Sequence, residues 1–487
     1  MAATHATPAD SAPPDHRFPP QIKYIVGNEI CERFSYYGMK SILALYITAV
    51  LAKTRDEATE IIHLFGFANY FMPLIGAWVS DRYWGRYHTI LWISLFYCAG
   101  HGVLALSDLF GTDGKVACLY AGLALIAFGS GGIKPCVSAF VGDQFKPSQA
   151  HLLQKAYGAF YWSINFGAFF SFLVIPRLAR EASYAWAFGV PGILMALATL
   201  IFWLGTRHYV RRPPARETRT AGFLAVFGHA LRRGPQPGAG FWDRARDRYS
   251  AAEIEAARSV APILGVFAFI PPFWALFEQS NSTWVLQGEQ MQPMPLTGLA
   301  HALLGWLFGR EISAEQMQSA NSLLVMILVP LLTLGVYPYF RRHTTPLRRM
   351  GAGLLITGLS YVGVGFLQQR LEAGDRLSVL WQFAPYLVLT LGEVLVSTTG
   401  LEFAYSQAAA SMKSTIMSLW LLTVAAGNLL VSLITRFAGG GSHDAAISSG
   451  RFYFYAGLTG CVAVLFILVS VRYRYRDTVS TGAHGSA

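Results

Sequence analysis

The chain has 487 residues, of which 53% are hydrophobic and only 13% charged, with a formal net charge of +11. Soluble domains carry about 25% charged residues, so the composition excludes an ordinary soluble enzyme and points to a polytopic membrane protein. The five cysteines, Cys31, Cys98, Cys118, Cys136 and Cys461, fall in apolar runs without metal-like spacing and are read as small core residues.

Residues 1–20 are rich in Pro, Ala and Asp and lack the apolar stretch of a signal peptide, so a disordered cytoplasmic tail is expected. Apolar runs of helical period then predict twelve membrane spans, at 22–51, 58–80, 89–108, 115–138, 153–177, 186–206, 259–286, 315–340, 346–370, 376–402, 410–437 and 450–473. The longest polar break predicts two six-helix bundles, 21–206 and 259–475, joined by a cytoplasmic linker at 207–258. Within it, Phe241–Arg258 is read as a surface-lying amphipathic helix. Residues 476–487 form a second tail. Basic residues collect in loops on one side, at Arg82 and Arg86, along the linker, at Arg341, Arg342, Arg348 and Arg349, and at Arg472, Arg474 and Arg476. This bias sets membrane orientation. It places both termini in the cytoplasm, with a bacterial inner membrane the expected location, and leaves no reason to expect a nucleic-acid partner.

The first span is the most unusual. Glu29, Glu32, Arg33, Tyr36, Tyr37 and Lys40 are spaced i, i+3, i+4, i+7, i+8 and i+11, so they share one helix face. Each charge costs about 2.5–3.5 kcal/mol at a bilayer centre, so this face must line a wet, protein-enclosed cavity. Further intramembrane charges are Lys134 in span four, Glu278 in span seven and Glu393 in span ten. Spans one and seven, and four and ten, are counterparts in a six-plus-six repeat, so the charges converge on a site between halves. That arrangement, with the short turn around Asp81, Arg82 and Arg86, points to a major facilitator fold. Asp81 and the arginines are expected to lock neighbouring helix ends. Gly129–Lys134 lacks the spacing of a phosphate loop, and the sequon at Asn281–Thr283 lies within a span. No catalytic triad, metal cluster or cofactor site is legible, so no enzymatic activity is expected.

The segment EICERFSYYG at 29–38 resembles the signature of the proton-dependent oligopeptide transporter family. GSGGIKPCVSAF at 129–140 and FYWSINFGAF at 160–169 are similar to its fourth- and fifth-helix signatures. GLEFAYSQAAASMKS at 400–414 and His63 in IIHLFGFANYFMPLIGAW resemble the branch containing the animal peptide transporters. The resemblance covers about residues 20–475. It departs from the animal members in lacking a large insert after span nine, and from many bacterial members in lacking two extra helices.

The resemblance implies symport of di- and tripeptides with protons by alternating access, in a monomer embedded in the bilayer. A short peptide is a zwitterion, so charge clamps on opposite walls would hold its termini. Arg33 and Lys134 suit the carboxylate. Glu393 suits the amine, aided by Asn165 and Asn321. Tyr36, Tyr37, Tyr70, Trp274 and Trp420 are expected to line the pocket. For Lys134 and Glu393 a second role is a mutual ion pair closing the cytoplasmic side, both roles holding in different states. Lys40 and Glu278 would pair as an outer gate. Burial disfavours a charged carboxylate and a neighbouring cation favours it, so Glu29 and Glu32 beside Arg33, with Glu278, are candidates for proton coupling. His63 reads either as a hydrogen-bonded core residue or as a proton sensor. Two rival functions stand beside peptide symport: a related carrier of an amino acid or nitrate, and a non-transporting peptide sensor.

Overall fold

The structure is a computed structural model that describes residues 17–214, 222–235, 238, 240–340, 345–438, 445–473 and 475. Most of the expected N-terminal tail (1–16), part of the linker, Arg341, Arg342, Arg474, Arg476 and the tail 476–487 lie outside the described residues.

Among the described residues, nine continuous helical stretches are long and apolar enough to cross a bilayer. A tenth crossing is a pair of stretches, Ala251–Phe267 and Pro271–Glu289, bent by 50°. Two more crossings escape a test of length and composition for physical reasons. Helix α1 (Ile22–Leu45) carries the charged face. The stretch Arg55–Leu109 has 55 residues, about 80 Å of helix at 1.5 Å per residue, far more than one bilayer needs. It is broken at Gly85, whose φ of +72° disfavours any side chain, into α2 (Arg55–Val79) and α3 (Gly85–Ala105). Every predicted span therefore has its helix. The N-terminal half continues with α4 (Thr112–Asp143), α5 (Leu153–Glu181) and α6 (Tyr184–Leu204).

The connection between halves differs from its expected form. The amphipathic helix is α7 (Phe223–Arg232), which buries Phe223, Val226 and Ala230 against the C-terminal half. Most of Phe241–Arg258 is not a surface helix. Ser250 and Glu253 form a reciprocal N-cap, so α8 (Ala251–Phe267) starts there and runs into span seven. That span bends at Ile270 into α9 (Pro271–Glu278), and α10 (Thr283–Glu289) follows.

An unpredicted excursion comes next. Strands β1 (Met294–Pro295) and β2 (Glu311–Ile312) pair antiparallel and flank the short helix α11 (Gly298–Phe308). The fold is otherwise all-α. The C-terminal half is completed by α12 (Ser319–Pro330), α13 (Tyr337–Phe340), α14 (Pro346–Glu372), α15 (Phe383–Glu393), α16 (Thr399–Gln407), α17 (Lys413–Ala438) and α18 (Ser449–Val471).

Small residues bring the helices of the N-terminal half into backbone contact, the usual means of tight packing in lipid. A Cβ on Gly76 of α2 would lie 2.3 Å from the Gly132 carbonyl oxygen of α4, and one on Gly129 would lie 2.6 Å from Tyr97 Cβ of α3. The glycines of 129–132 are thus helix-contact residues, and they seat α4 so that Lys134 reaches α1 and α2. The expected lock at Asp81 is carried by a different carboxylate. Asp143, at the end of α4, takes Arg86 at 2.5 Å and Arg212 at 3.3 Å. The cysteines are free; Cys461, contrary to its reading as a core residue, is exposed on α18.

The end of the bundle that carries Arg82, Arg86, Arg207 and Arg348 is called here the basic end, and the opposite one the distal end. One core cluster runs through the N-terminal half and across the distal part of the C-terminal half, including Trp284, Tyr361 and Tyr386. A second, around Phe273, Trp274 and Trp420, is built by the C-terminal half and α7, with Tyr70 of α2 packed against it. The halves are thus packed together at the distal end.

Candidate functional site

The charged face of α1 is buried inside the protein. Glu29, Glu32 and Lys40 are each no more than 2% exposed and Arg33 is 9% exposed. Arg33 Nε lies 2.8 Å from Glu29 Oε1 and 2.6 Å from Glu32 Oε2. One Nε–H points along one line only: it is donated to Glu29, while Glu32 is in ionic contact and its carboxylate accepts no hydrogen bond among the described residues. Two carboxylates against one guanidinium leave one negative charge in excess. A proton taken up by either glutamate would return the trio to neutrality.

Lys134 projects from α4 toward this trio. Its Nζ stands 4.4 Å from the ring centre of Tyr36 and 4.5 Å from that of Tyr70. The ammonium is buried, yet among the described residues it has no hydrogen-bond partner. A buried charge without an acceptor is costly. Glu393 is therefore not its partner in this conformation. Tyr36 is fully buried, and its hydroxyl accepts from Asn69 Nδ2 at 2.8 Å. It is a platform beneath Lys134 instead of an open wall. Tyr37 packs edge-on to Tyr36 and against Phe172 of α5.

On the opposite half, Glu393 ends α15 and is followed by a π-helical turn, Val394–Thr398; such turns are frequent at functional sites. Asn321 of α12 donates to Glu393 Oε2 at 2.7 Å and to Thr390 at 3.0 Å, which orients the carboxylate. Asn165 behaves differently. It lies half-buried on α5 with its side-chain amide donating to Tyr161 O at 3.1 Å, and it makes no hydrogen bond to Glu393 among the described residues. Trp274 donates through Nε1 to Thr423, and its ring lies 6.0 Å from that of Trp420. Both tryptophans are mostly buried in the core of the C-terminal half.

Toward the distal end the halves are bolted together. Lys40 Nζ of α1 lies 2.6 Å from Glu278 Oε2 of α9, both nearly wholly buried. His63 of α2 makes two hydrogen bonds to the C-terminal half. Nδ1 is 2.9 Å from Asn428 Oδ1 of α17, and Nε2 is 2.9 Å from Ser282 Oγ. Because Asn428 Nδ2 donates to Val424 O, its oxygen faces the ring, so Nδ1 carries the proton and Nε2 accepts from Ser282. Further cross-half contacts are Arg436 with Glu60, Ala446 N with Asp56, and Arg177 with the Gly305 and Trp306 carbonyls of α11.

Asn428, Ser282, Asn69 and Thr390 were missed in the sequence. The signal was present for Asn428 and Asn69, single amides deep in apolar runs, but Ser and Thr are common in membrane helices and carry little signal alone. Among the described residues no group of three or more His, Cys, Asp or Glu could hold a metal ion.

Among the described residues, a bundle of helical crossings in two halves, closed at one end and carrying buried charges on facing helices, defines a membrane transporter of the major facilitator fold. A family model described as the POT family matches residues 87–234 and 241–447. The chain is 36% identical to solute carrier family 15 member 2 of Danio rerio over 71% of its own length and 49% of that protein. It is 27% identical to peptide transporter 3 of Caenorhabditis elegans, over 94% and 93% respectively. Among solved structures, an auto inhibited POT family peptide transporter matches with a TM-score of 0.83 at 38% identity, covering 94% of this chain and 98% of that one. The POT family transporter PepTSo matches at 0.82 and 39%, covering 94% and 99%. Apart from the nematode protein, the chain spans about half the length of the curated relatives it matches. This chain belongs to the POT family: it is a multi-pass membrane protein of a transporter family, not an enzyme.

Proposed function

We propose that this protein is a proton-coupled symporter of di- and tripeptides that works by alternating access. The observation that carries the reading is the buried Lys134 ammonium, held only by two aromatic faces and lacking an acceptor among the described residues. Such a cation is set for an anion that arrives from outside the protein. A peptide carboxylate fits, with Arg33 as the second donor. The amine then falls to Glu393, on the other half and already oriented by Asn321.

Coupling follows from the charge count of the α1 trio. Protonating Glu29 or Glu32 loosens the hold on Arg33 and lets the guanidinium turn to the peptide carboxylate. At the distal end, protonating Glu278 would release Lys40 and begin to separate the halves. His63 gains a proton on Nε2 only if the Ser282 hydroxyl turns away, and that hydroxyl has a second acceptor in Gln279 O at 3.4 Å. Proton uptake there would reverse this bond between halves, Nε2–H then donating to Ser282 Oγ. In this scheme a state closed at the basic end pairs Lys134 with Glu393. The protein acts as a monomer, with both termini on the cytoplasmic side of a bacterial inner membrane.

The relatives' printed names, peptide transporter and POT family transporter, support the substrate class. The test is counterflow and pH-driven uptake of a labelled dipeptide in proteoliposomes, with free amino acids and nitrate as competitors. Uphill uptake that only unlabelled di- and tripeptides compete is expected. Competition by nitrate or single amino acids, and not by dipeptides, would replace the reading with another carrier. Binding without uptake would replace it with a sensor.

A further inference from the structure

A cavity of about 1130 Å³ opens on the outer face of the N-terminal half at the basic end, apart from the central site. Its lower wall is α3, where Trp92, Leu95, Phe96 and Ala99 are all exposed and spaced i, i+3, i+4 and i+7, so they form one apolar stripe. Its upper wall is the segment that leaves α6, Arg211 to Pro214, with Tyr83 and Trp84 at the rim. The groove is therefore apolar along the membrane-spanning helix and cationic at the level of the helix ends. Aromatic residues mark the transition, as they do at membrane interfaces.

The cations are in excess. Arg211 lies over the Tyr87 ring at 4.4 Å and donates to Thr206 O at 2.8 Å, and no carboxylate comes within ion-pair distance of it among the described residues. Arg212 reaches Asp143, whose other oxygen is already held by Arg86 at the shorter distance of 2.5 Å. Two arginines thus share one aspartate beside a third with none. A free phosphate would use the arginines and leave the apolar stripe without a purpose. A neutral lipid would use the stripe and leave the charge uncompensated. The geometry points to a site for one anionic phospholipid, its phosphate at Arg211 and Arg212 and its acyl chain along Trp92, Leu95, Phe96 and Ala99. Bound there, the lipid bridges α3 to the segment leaving α6 beside the end of α4, fastening three helix ends of the N-terminal half.

The experiment is native mass spectrometry of the full chain in micelles supplied with phosphatidylglycerol or phosphatidylethanolamine of identical acyl chains. The protein should retain one phosphatidylglycerol in preference to phosphatidylethanolamine. The double variant Arg211→Gln, Arg212→Gln should reduce that preference roughly thirtyfold, from the removal of two interfacial charges. Arg211→Lys with Arg212→Lys should keep most of it, which separates loss of charge from loss of fold. Arg207→Gln, outside the groove, should leave it unchanged. Equal retention of both lipids by the unaltered protein would overturn the proposal, as would a preference that survives the double glutamine variant. Release of the bound lipid by excess inorganic phosphate alone would overturn it in favour of a phosphate site.

Discussion

Lys40 of α1 and Glu278 of α9 meet at 2.6 Å in a nearly water-free setting, and this ion pair ties the N-terminal half to the C-terminal half. Removing one member strands the other as a buried charge, which costs about 3–5 kcal/mol, whereas removing both costs far less. Lys40→Met is expected to lower thermal stability in detergent sharply, and Lys40→Met with Glu278→Met to recover most of the loss. Equal losses in the single and double variants would mean the pair is not buried as described.

Lys134 is different because no hydrogen bond among the described residues depends on its Nζ. Lys134→Gln is expected to leave thermal unfolding near that of the unaltered protein. Its affinity for a dipeptide should fall roughly ten- to a hundredfold, the weight of a hydrogen bond to a charged group. Scanning calorimetry of the purified protein measures the first quantity and calorimetric titration with the dipeptide the second.

His63 holds its place because Gly66, one turn further along α2, leaves room for Asn428. A Cβ on Gly66 would stand 2.4 Å from Asn428 Oδ1. Gly66→Ala is expected to destabilise the protein by about 1–3 kcal/mol, the range of overpacking, and to detach Asn428 from His63. Asn428→Ala alone should cost about 1–3 kcal/mol from the unsatisfied imidazole. The two should be strongly non-additive, since the second removes the atom that the first collides with.

Glycine contacts between α2 and α4 carry an internal control. Gly76→Ala collides with the backbone of Gly132 at 2.3 Å, while a Cβ on Gly102 of α3 meets nothing within 4 Å. The first is expected to lower the unfolding temperature by several degrees. The second should hold or raise it, since alanine is the better helix former. A parallel drop in both would remove the argument for close α2–α4 packing.

The connection between halves has its own pH dependence. A hydrogen bond from His229, and after it Arg233, holds the Asp247 carboxyl below its ordinary range. A depressed carboxyl stabilises the fold above its unfolded value of about 4 and loses that contribution as pH falls through the lower folded value. Hydrogen exchange of the α7 amides should therefore be insensitive to this group between about pH 8 and 5 and accelerate below about pH 4. Asp247→Asn should abolish that acid-side change.

Much of this was legible in the sequence, and the reasons are physical. Each of the twelve apolar runs became helical, in one piece or several, because a bilayer permits little else. The helical spacing of residues 29–40 foretold a shared face, since α1 is regular through it. The linker is harder to read because Phe241–Arg258 has an amphipathic composition, while the decisive signal is local: Ser250 and Glu253, three residues apart, start a helix that continues into the membrane. Asp143 was overlooked because its role depends on where α4 ends beside Arg86, a matter of three-dimensional approach. Asn165 shares its segment with a family-like signature, yet its amide donates back to the Tyr161 carbonyl one turn earlier in α5, a rotamer choice that the sequence does not reveal.

The proposed mechanism depends on Lys134 receiving the peptide carboxylate. Its most direct test compares uphill, proton-driven uptake of a dipeptide and of the same dipeptide with its C-terminus amidated, in proteoliposomes of the unaltered protein and of Lys134→Gln. The unaltered protein should take up the free acid and strongly disfavour the amide. The variant should lose both uphill uptake and the discrimination in binding. A Lys134→Gln protein that accumulates the dipeptide and still rejects the amide would contradict the account.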